Sequence, residues 1–302
     1  MKRSQESATE VLETRETASK PERKTKWQTE SNEVNRSPIH GLWSLTHRDL
    51  KKWYTQPIQL FLTIIQPVFW LALFGQSFNF GNMVGGAAGS QFTRDVFGTA
   101  NYQSYLGVGM MTFVIIFTSM FSGMSIVWDR RFGFLDKVLS TPVARGTIVM
   151  GKVFSSVIRC LIQAAIVLVI AVILGLKFAS LSVLGLAATF LGLFLLSFGL
   201  SSLFVMIALR STNWQTQMAV MNLLNLPLLF ASNTILPVKG MPAWLQLIAR
   251  VNPVTYATDL GRQLLLGTTP LNSAIFDISY LLGFAVLFSA VGIVMSWKLL
   301  TR

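Results

Sequence analysis

The chain has 302 residues, 52% hydrophobic and only 13% charged, with a net charge of +12 and a mean hydropathy of +0.54. Soluble domains carry roughly 25% charged residues, so these proportions exclude an ordinary soluble protein. The basic residues flank apolar runs, which points to membrane topology and away from nucleic acid.

The single Cys160 leaves no intrachain disulfide, and His40 and His47 have no Cys or carboxylate cluster beside them, so no metal site is expected. Residues 1–36 are rich in Ser, Thr, Glu, Lys and Arg, with Trp27 their sole aromatic. Such a stretch cannot bury enough apolar surface to offset its ordering entropy, so it is predicted to be a disordered cytoplasmic tail before a membrane domain at 37–302. It holds every Glu of the chain. Only Asp49, Asp95, Asp129, Asp136, Asp259 and Asp277 follow as acids, which is little material for carboxylate chemistry. No cleavable signal peptide is read, because the first apolar run begins only near Pro57.

Ser37-Pro38 reads as a helix start. Ile39, Leu42, Trp43, Thr46, Leu50, Trp53 and Tyr54 then recur at helical spacing, with Ser44, His47, Arg48, Lys51 and Lys52 on the other face. This is the pattern of an amphipathic helix in the headgroup region, or of an extension of the first span. Six apolar runs follow, at about 58–79, 104–127, 153–176, 181–208, 215–236 and 276–297. Helices satisfy their own backbone hydrogen bonds in lipid, so the predicted fold is an all-α, six-span integral membrane protein. Arg159 lies inside the third run and is expected to snorkel to the interface. The side richer in Lys and Arg holds Arg48, Lys51, Lys52, Arg130, Arg131, Lys137, Arg145 and Lys152, which orients both termini into the cytoplasm of a multi-pass cell-membrane protein.

Within the spans, Gln59, Thr63 and Gln66 share a face of the first, and Gln215, Met218, Asn222 and Asn225 share a face of the fifth. These amides and hydroxyls either line a translocation path or bond helices together. Gly185, Gly192 and Gly199 form a close-packing stripe in the fourth. After the fifth span, two short proline-opened helices are expected at 241–248 and 253–260, sitting back into the outer leaflet or forming an ordinary loop. Between the second and third spans, Phe132, Phe134, Leu135, Val138 and Leu139 give a short charged segment an apolar side, stopped at Pro142. An apolar centre with a charged rim fits a partner's groove, or a helix dipping into lipid. No phosphate-binding loop, H-E-x-x-H or G-x-S-x-G occurs, so no catalytic residue is assigned and the chain has no visible energy source.

The run Asp129, Arg130, Arg131, Phe132, Gly133, Phe134, Leu135, Asp136 and Lys137, continuing through Pro142 and Arg145 to Gly151-Lys152, resembles the signature of type-2 ATP-binding-cassette exporter permeases. The daunorubicin-resistance branch is the most similar. A second stretch, Asn252-Pro253-Val254-Thr255-Tyr256-Ala257 with Arg262, preceded by Pro237, Met241 and Trp244, is similar to the segment before that family's last span. The resemblance implies that 129–145 is a coupling helix seated in a cytosolic ATPase subunit. It further implies two permease copies, an outer-gate region at Pro237, Trp244, Asn252, Pro253, Tyr256 and Arg262, and ATP with Mg bound only by the partner. Arg131, the order Asp136-Lys137 and Gly261 depart from the family pattern, and Gly261 is expected to loosen its helix. The resulting expectation is an exporter permease for an amphiphilic, drug-like or lipid-like compound, embedded in the lipid bilayer. An ion-coupled exporter acting alone is the alternative.

Overall fold

The computed structural model describes residues 38–77, 86–99, 101–139, 145–177, 182–211, 213–267 and 271–300. The tail expected at 1–36 lies outside them. Every regular element among the described residues is helical. In chain order these are α1 (Pro38–Tyr54), α2 (Pro57–Ser77), α3 (Gly86–Phe97), α4 (Tyr102–Arg131) and α5 (Phe134–Leu139). There follow α6 (Arg145–Ile173), α7 (Val183–Arg210) and α8 (Trp214–Phe230), then a 3-10 turn at Val238–Gly240. The last three are α9 (Ala243–Val251), α10 (Pro253–Leu266) and α11 (Leu271–Leu300).

All six apolar runs coincide with helices, but not equally. Among the described residues, four helices are long and apolar enough to cross a bilayer, within Gln91–Arg131, Gly146–Ile173, Val183–Arg210 and Ser273–Trp297. The described apolar part of α2, Phe61–Gly75, is shorter. Helix α8 has 17 residues, about 26 Å at helical rise, less than the roughly 30 Å of hydrocarbon. It ends at Phe230, where a helix to 236 was expected; Pro227 lies in its last turn and the chain then turns instead of continuing.

Helix α4 is apolar on all sides and buried almost without interruption from Tyr102 to Val127, so it forms the centre of the bundle. Helices α2, α6, α7, α8 and α10 pack around it. Helix α7 packs closely against α10 and α11, as its glycine stripe predicts. A Cβ on Gly192 would meet Leu260 at 2.4 Å, and one on Gly199 would meet Phe284 at 2.4 Å. Small hydroxyls join three helices in the core: the Ser201 hydroxyl is hydrogen-bonded to those of Ser156 at 2.8 Å and Ser119 at 3.2 Å. Helix α3, where no element was expected, sets Phe97 edge-on against Tyr102 and Tyr105.

Helix α1 does more than lie on lipid. Thr46 donates to the Gly151 carbonyl at 3.3 Å, and Asp49 and Trp53 are buried. Lys152 of α6 pairs with Asp49 of α1 at 2.8 Å and with Asp129 of α4 at 2.5 Å. Arg48 completes the cluster, at 2.7 Å from Asp49 and 3.2 Å from Asp129. Burial of the Asp49 carboxyl favours its neutral form, but Lys152 and Arg48 outweigh this and hold its pKa below the ordinary value. Removing one member of a buried ion pair strands its partner's charge at a cost of about 3–5 kcal/mol. Lys152→Met should therefore lower the midpoint of thermal unfolding in detergent sharply. Because the Asp49 pKa is depressed, its contribution is present at neutral pH and is lost as pH falls. The stability gap between wild type and Lys152→Met should accordingly narrow in acid, measured by melting across pH.

Candidate functional site

Three regions carry the residues singled out in the sequence. The first is the turn between α4 and α6. Helix α4 runs on through Asp129, Arg130 and Arg131, so these continue the second span instead of forming a separate docking helix. Asp129 belongs to the ion cluster. Arg130 donates to the carbonyls of Leu209 and Ser211, both at 3.1 Å, satisfying acceptors that the end of α7 leaves open. Gly133, at φ +67°, turns the chain into α5. The Arg48 guanidinium lies 3.7 Å from the centre of the Phe134 ring. Leu135 and Val138 are buried, beside Ile126, Ile148, Val149 and Leu209 around a residual void of about 10 Å³. The apolar side expected to enter a partner is thus seated on the chain's own bundle. What α5 and its turn present outward is Phe132, 73% exposed and stacked on Trp128, with Arg131 and Lys137. Pro142 and the side chains of Asp136 and Arg145 lie outside the described residues.

The second region is a cavity of about 790 Å³ walled by α2, α4 and α8. Thr63 and Gln66 of α2 and Asn222 of α8 share its wall, so three of the amide and hydroxyl residues singled out in the sequence meet in space. Most of the remaining wall is apolar, including Ile58, Leu62, Phe117, Met120 and Met218. Gln215 is exposed elsewhere, Asn225 turns into the protein, and the Gln59 side chain is outside the described residues. The Asn225 oxygen and both amide atoms of the buried Gln217 have no hydrogen-bond partner among the described residues. Buried polar atoms are nearly always paired; besides these on α8, Ser122 of α4, Ser202 of α7, and Thr255 and Gln263 of α10 carry buried atoms without a partner among the described residues.

The third region follows α8. Residues 231–237 leave the helix while Ala231, Ser232 and Thr234 stay buried. Non-helical backbone at membrane depth requires protein partners for its polar groups. Asn252 supplies them at one end: its amide donates to the carbonyls of Leu228 at 3.0 Å and Ala231 at 2.7 Å, while its oxygen caps α10 at Val254 N, 3.0 Å away. Arg262 supplies them at the other. It is 3% exposed, lies 3.3 Å from the centre of the Tyr105 ring, and donates to the carbonyls of Thr234 at 3.0 Å, Tyr105 at 3.1 Å and Asn233. Asn233 in turn donates to Asp259 and accepts from the Tyr105 hydroxyl at 2.6 Å. Close approach needs Gly109, where a Cβ would lie 2.1 Å from the Thr234 carbonyl oxygen.

Pro237, Tyr256 and Arg262 line a cavity of about 510 Å³ beside this knot. Pro253 is buried at the start of α10, and Trp244 is 65% exposed, outside the cavity wall. Tyr105, Asn233 and Asp259 are functional neighbours that the sequence reading did not assign; an acid and a cation three residues apart between two apolar runs were the available signal. Gly261 does not loosen its helix. Helix α10 continues through it to Leu266, and a Cβ there would meet Val108 at 2.8 Å.

A multi-pass helical bundle with an apolar lateral cavity, a charged turn at one end and pinned irregular backbone at the other has the architecture of a membrane transport permease. Residues 40–266 match the family described as ABC-2 type transporter, and the chain belongs to that family. It is 30% identical to a protein of Cyanophora paradoxa named as transport permease ycf38, over 87% of this chain and 89% of that one. It is 24% identical to the daunorubicin resistance ABC transporter permease protein DrrB1 of Streptomyces coeruleorubidus, over 74% and 75% of the two chains. Against the probable multidrug ABC transporter permease YbhR of Escherichia coli K12 it is 33% identical over 51% of this chain and 40% of that one.

Guanidinium geometry is what the outer knot uses, and an ammonium cannot serve three divergent carbonyls or stack on the ring in the same way. Arg262→Lys should therefore destabilise the chain nearly as much as Arg262→Leu, by about 2–3 kcal/mol for carbonyls left buried and unpaired. Thermal unfolding of the two variants in detergent checks this; full retention of stability by the lysine variant would refute the role given to the fork.

Proposed function

We propose that this permease moves an amphiphilic, drug-like or lipid-like compound out of the cell, driven by ATP hydrolysed with Mg on a separate cytosolic ATPase subunit. The observation that carries this reading is the cavity between α2, α4 and α8, large enough for a small amphiphile and mostly apolar with a few amides. The drug-resistance and multidrug names of two relatives support export. The family implies an ATP-binding-cassette partner. In this reading the six apolar helices span the cell membrane with both termini inside, and α1 lies at the cytoplasmic face. Two copies of the chain face each other across a central path.

The turn that presents Arg131, Phe132 and Lys137 is the ATPase contact. Closure of the ATPases moves α5 and the end of α4 in each protomer, and α2, α4 and α8 reorient around the substrate. Such a drive requires contacts that differ between the open and closed ATPase. The short length of α8 supports its role as the helix that shifts.

Phe132→Ala should remove an exposed anchor without touching the core. Its melting should match wild type while stimulation of the partner ATPase falls about tenfold, the loss expected of an interface anchor. Leu135→Asp should lower thermal stability as well, because that side chain is buried in the bundle. Undiminished stimulation by Phe132→Ala, measured with a cognate ATP-binding-cassette ATPase in proteoliposomes, would overturn this assignment of the contact.

A further inference from the structure

A second cavity of about 270 Å³ adjoins the apolar one and shares Gln56 and Phe121 with it. Its wall carries Lys52, Lys152, Arg159 and Asp49, beside the indoles of Trp53 and Trp128. The charges are not equivalent. Lys152 and Asp49 are already neutralised within the cluster that includes Arg48 and Asp129. Arg159 bonds only to its own helix, donating to the Ser155 carbonyl at 3.1 Å and the Ser155 hydroxyl at 3.3 Å. Lys52 makes no ion pair among the described residues. Arg159 is partly exposed and lines this open polar cavity. An arginine within a membrane helix costs about 2.5–3.5 kcal/mol on insertion scales, and such residues mark ligand or ion pathways.

We infer that this cavity receives the anionic headgroup of an amphiphile, with Arg159 and Lys52 as its counter-charges, while the apolar chain lies along the adjoining cavity. The ligand chemistry is a phosphate or carboxylate joined to a hydrocarbon. This deepens the proposed function by naming the substrate class, and it rests on the reading of the larger cavity as the substrate path. A guanidinium and an ammonium converging on one oxyanion give charge-assisted hydrogen bonds, and the indoles and Ser125 supply a semi-polar wall. A cationic amphiphile would meet the positive charges of Arg159 and Lys52, of which neither forms an ion pair among the described residues.

The test uses the full chain, purified in dodecyl maltoside without any ATPase and titrated with dodecyl phosphate, dodecyltrimethylammonium or inorganic phosphate. Tryptophan fluorescence and native mass spectrometry read the binding. Dodecyl phosphate should bind wild type, and the Lys52→Gln, Arg159→Gln double variant should bind it at least about tenfold more weakly, the loss expected for charge-assisted bonds. Arg159→Lys should retain most of the binding, and Lys52→Gln alone, at an exposed position, should lose part of it with melting unchanged. Equal binding by the double variant, or dodecyltrimethylammonium bound as tightly as the phosphate, would overturn the inference. Inorganic phosphate that competes at the same concentration would show an anion site with no amphiphile selectivity, and would overturn it too. Binding as described without ATP-driven export in proteoliposomes would leave this site standing and count against the export reading alone.

Discussion

Four charges meet where α1, α4 and α6 come together, and the arrangement of the surrounding helices depends on their being paired. Arg48, Asp49, Asp129 and Lys152 sum to zero, so a polar cluster can sit inside an otherwise apolar bundle. The four members come from three helices. Asp129 is on the helix that runs into the exposed turn, Arg48 stacks on Phe134 of α5, and α1 leads through Thr55 and Gln56 directly into α2 of the large cavity. The cluster thus joins the surface assigned to the ATPase with the helices that wall the substrate cavity.

At the other end the constraint is backbone satisfaction. Helix α8 is too short to cross alone, and the chain after it is irregular yet buried. Asn252 takes up the Ala231 carbonyl and those of the last turn of α8, Arg262 takes up the Asn233 and Thr234 carbonyls, and α10 is positioned by the same residues. The outer end is therefore pinned while the middle of α8 keeps unpaired amides.

Much of this was legible in the sequence. Hydrophobic runs located every long helix, the glycine stripe of α7 gave a real close approach, and Pro242 and Pro253 opened the two short helices. Thr63, Gln66 and Asn222 do share one cavity, since helical spacing alone puts such residues on one face. Less legible was which charged residues face inward. Asp129 and Arg130 read as part of a docking segment because pairing with Lys152 and with the end of α7 depends on contacts 23 to 81 positions away. The amphipathic side of α5 was visible, but periodicity does not say whether an apolar face meets a partner or the chain's own core. The break after α8 was hidden by the apolar residues that continue past Phe230.

The central claim is that motion imposed at the exposed turn reaches the substrate cavity through the ion cluster. The most direct measurement is the amount of substrate exported per ATP hydrolysed by the reconstituted permease and ATPase carrying Asp129→Asn. This change keeps the side chain's shape while removing its charge and turning one acceptor oxygen into a donor. The account predicts that the complex assembles and hydrolyses ATP but exports about tenfold less per ATP, as expected when a coupling of 1–3 kcal/mol is lost. An unchanged ratio of export to hydrolysis would contradict it.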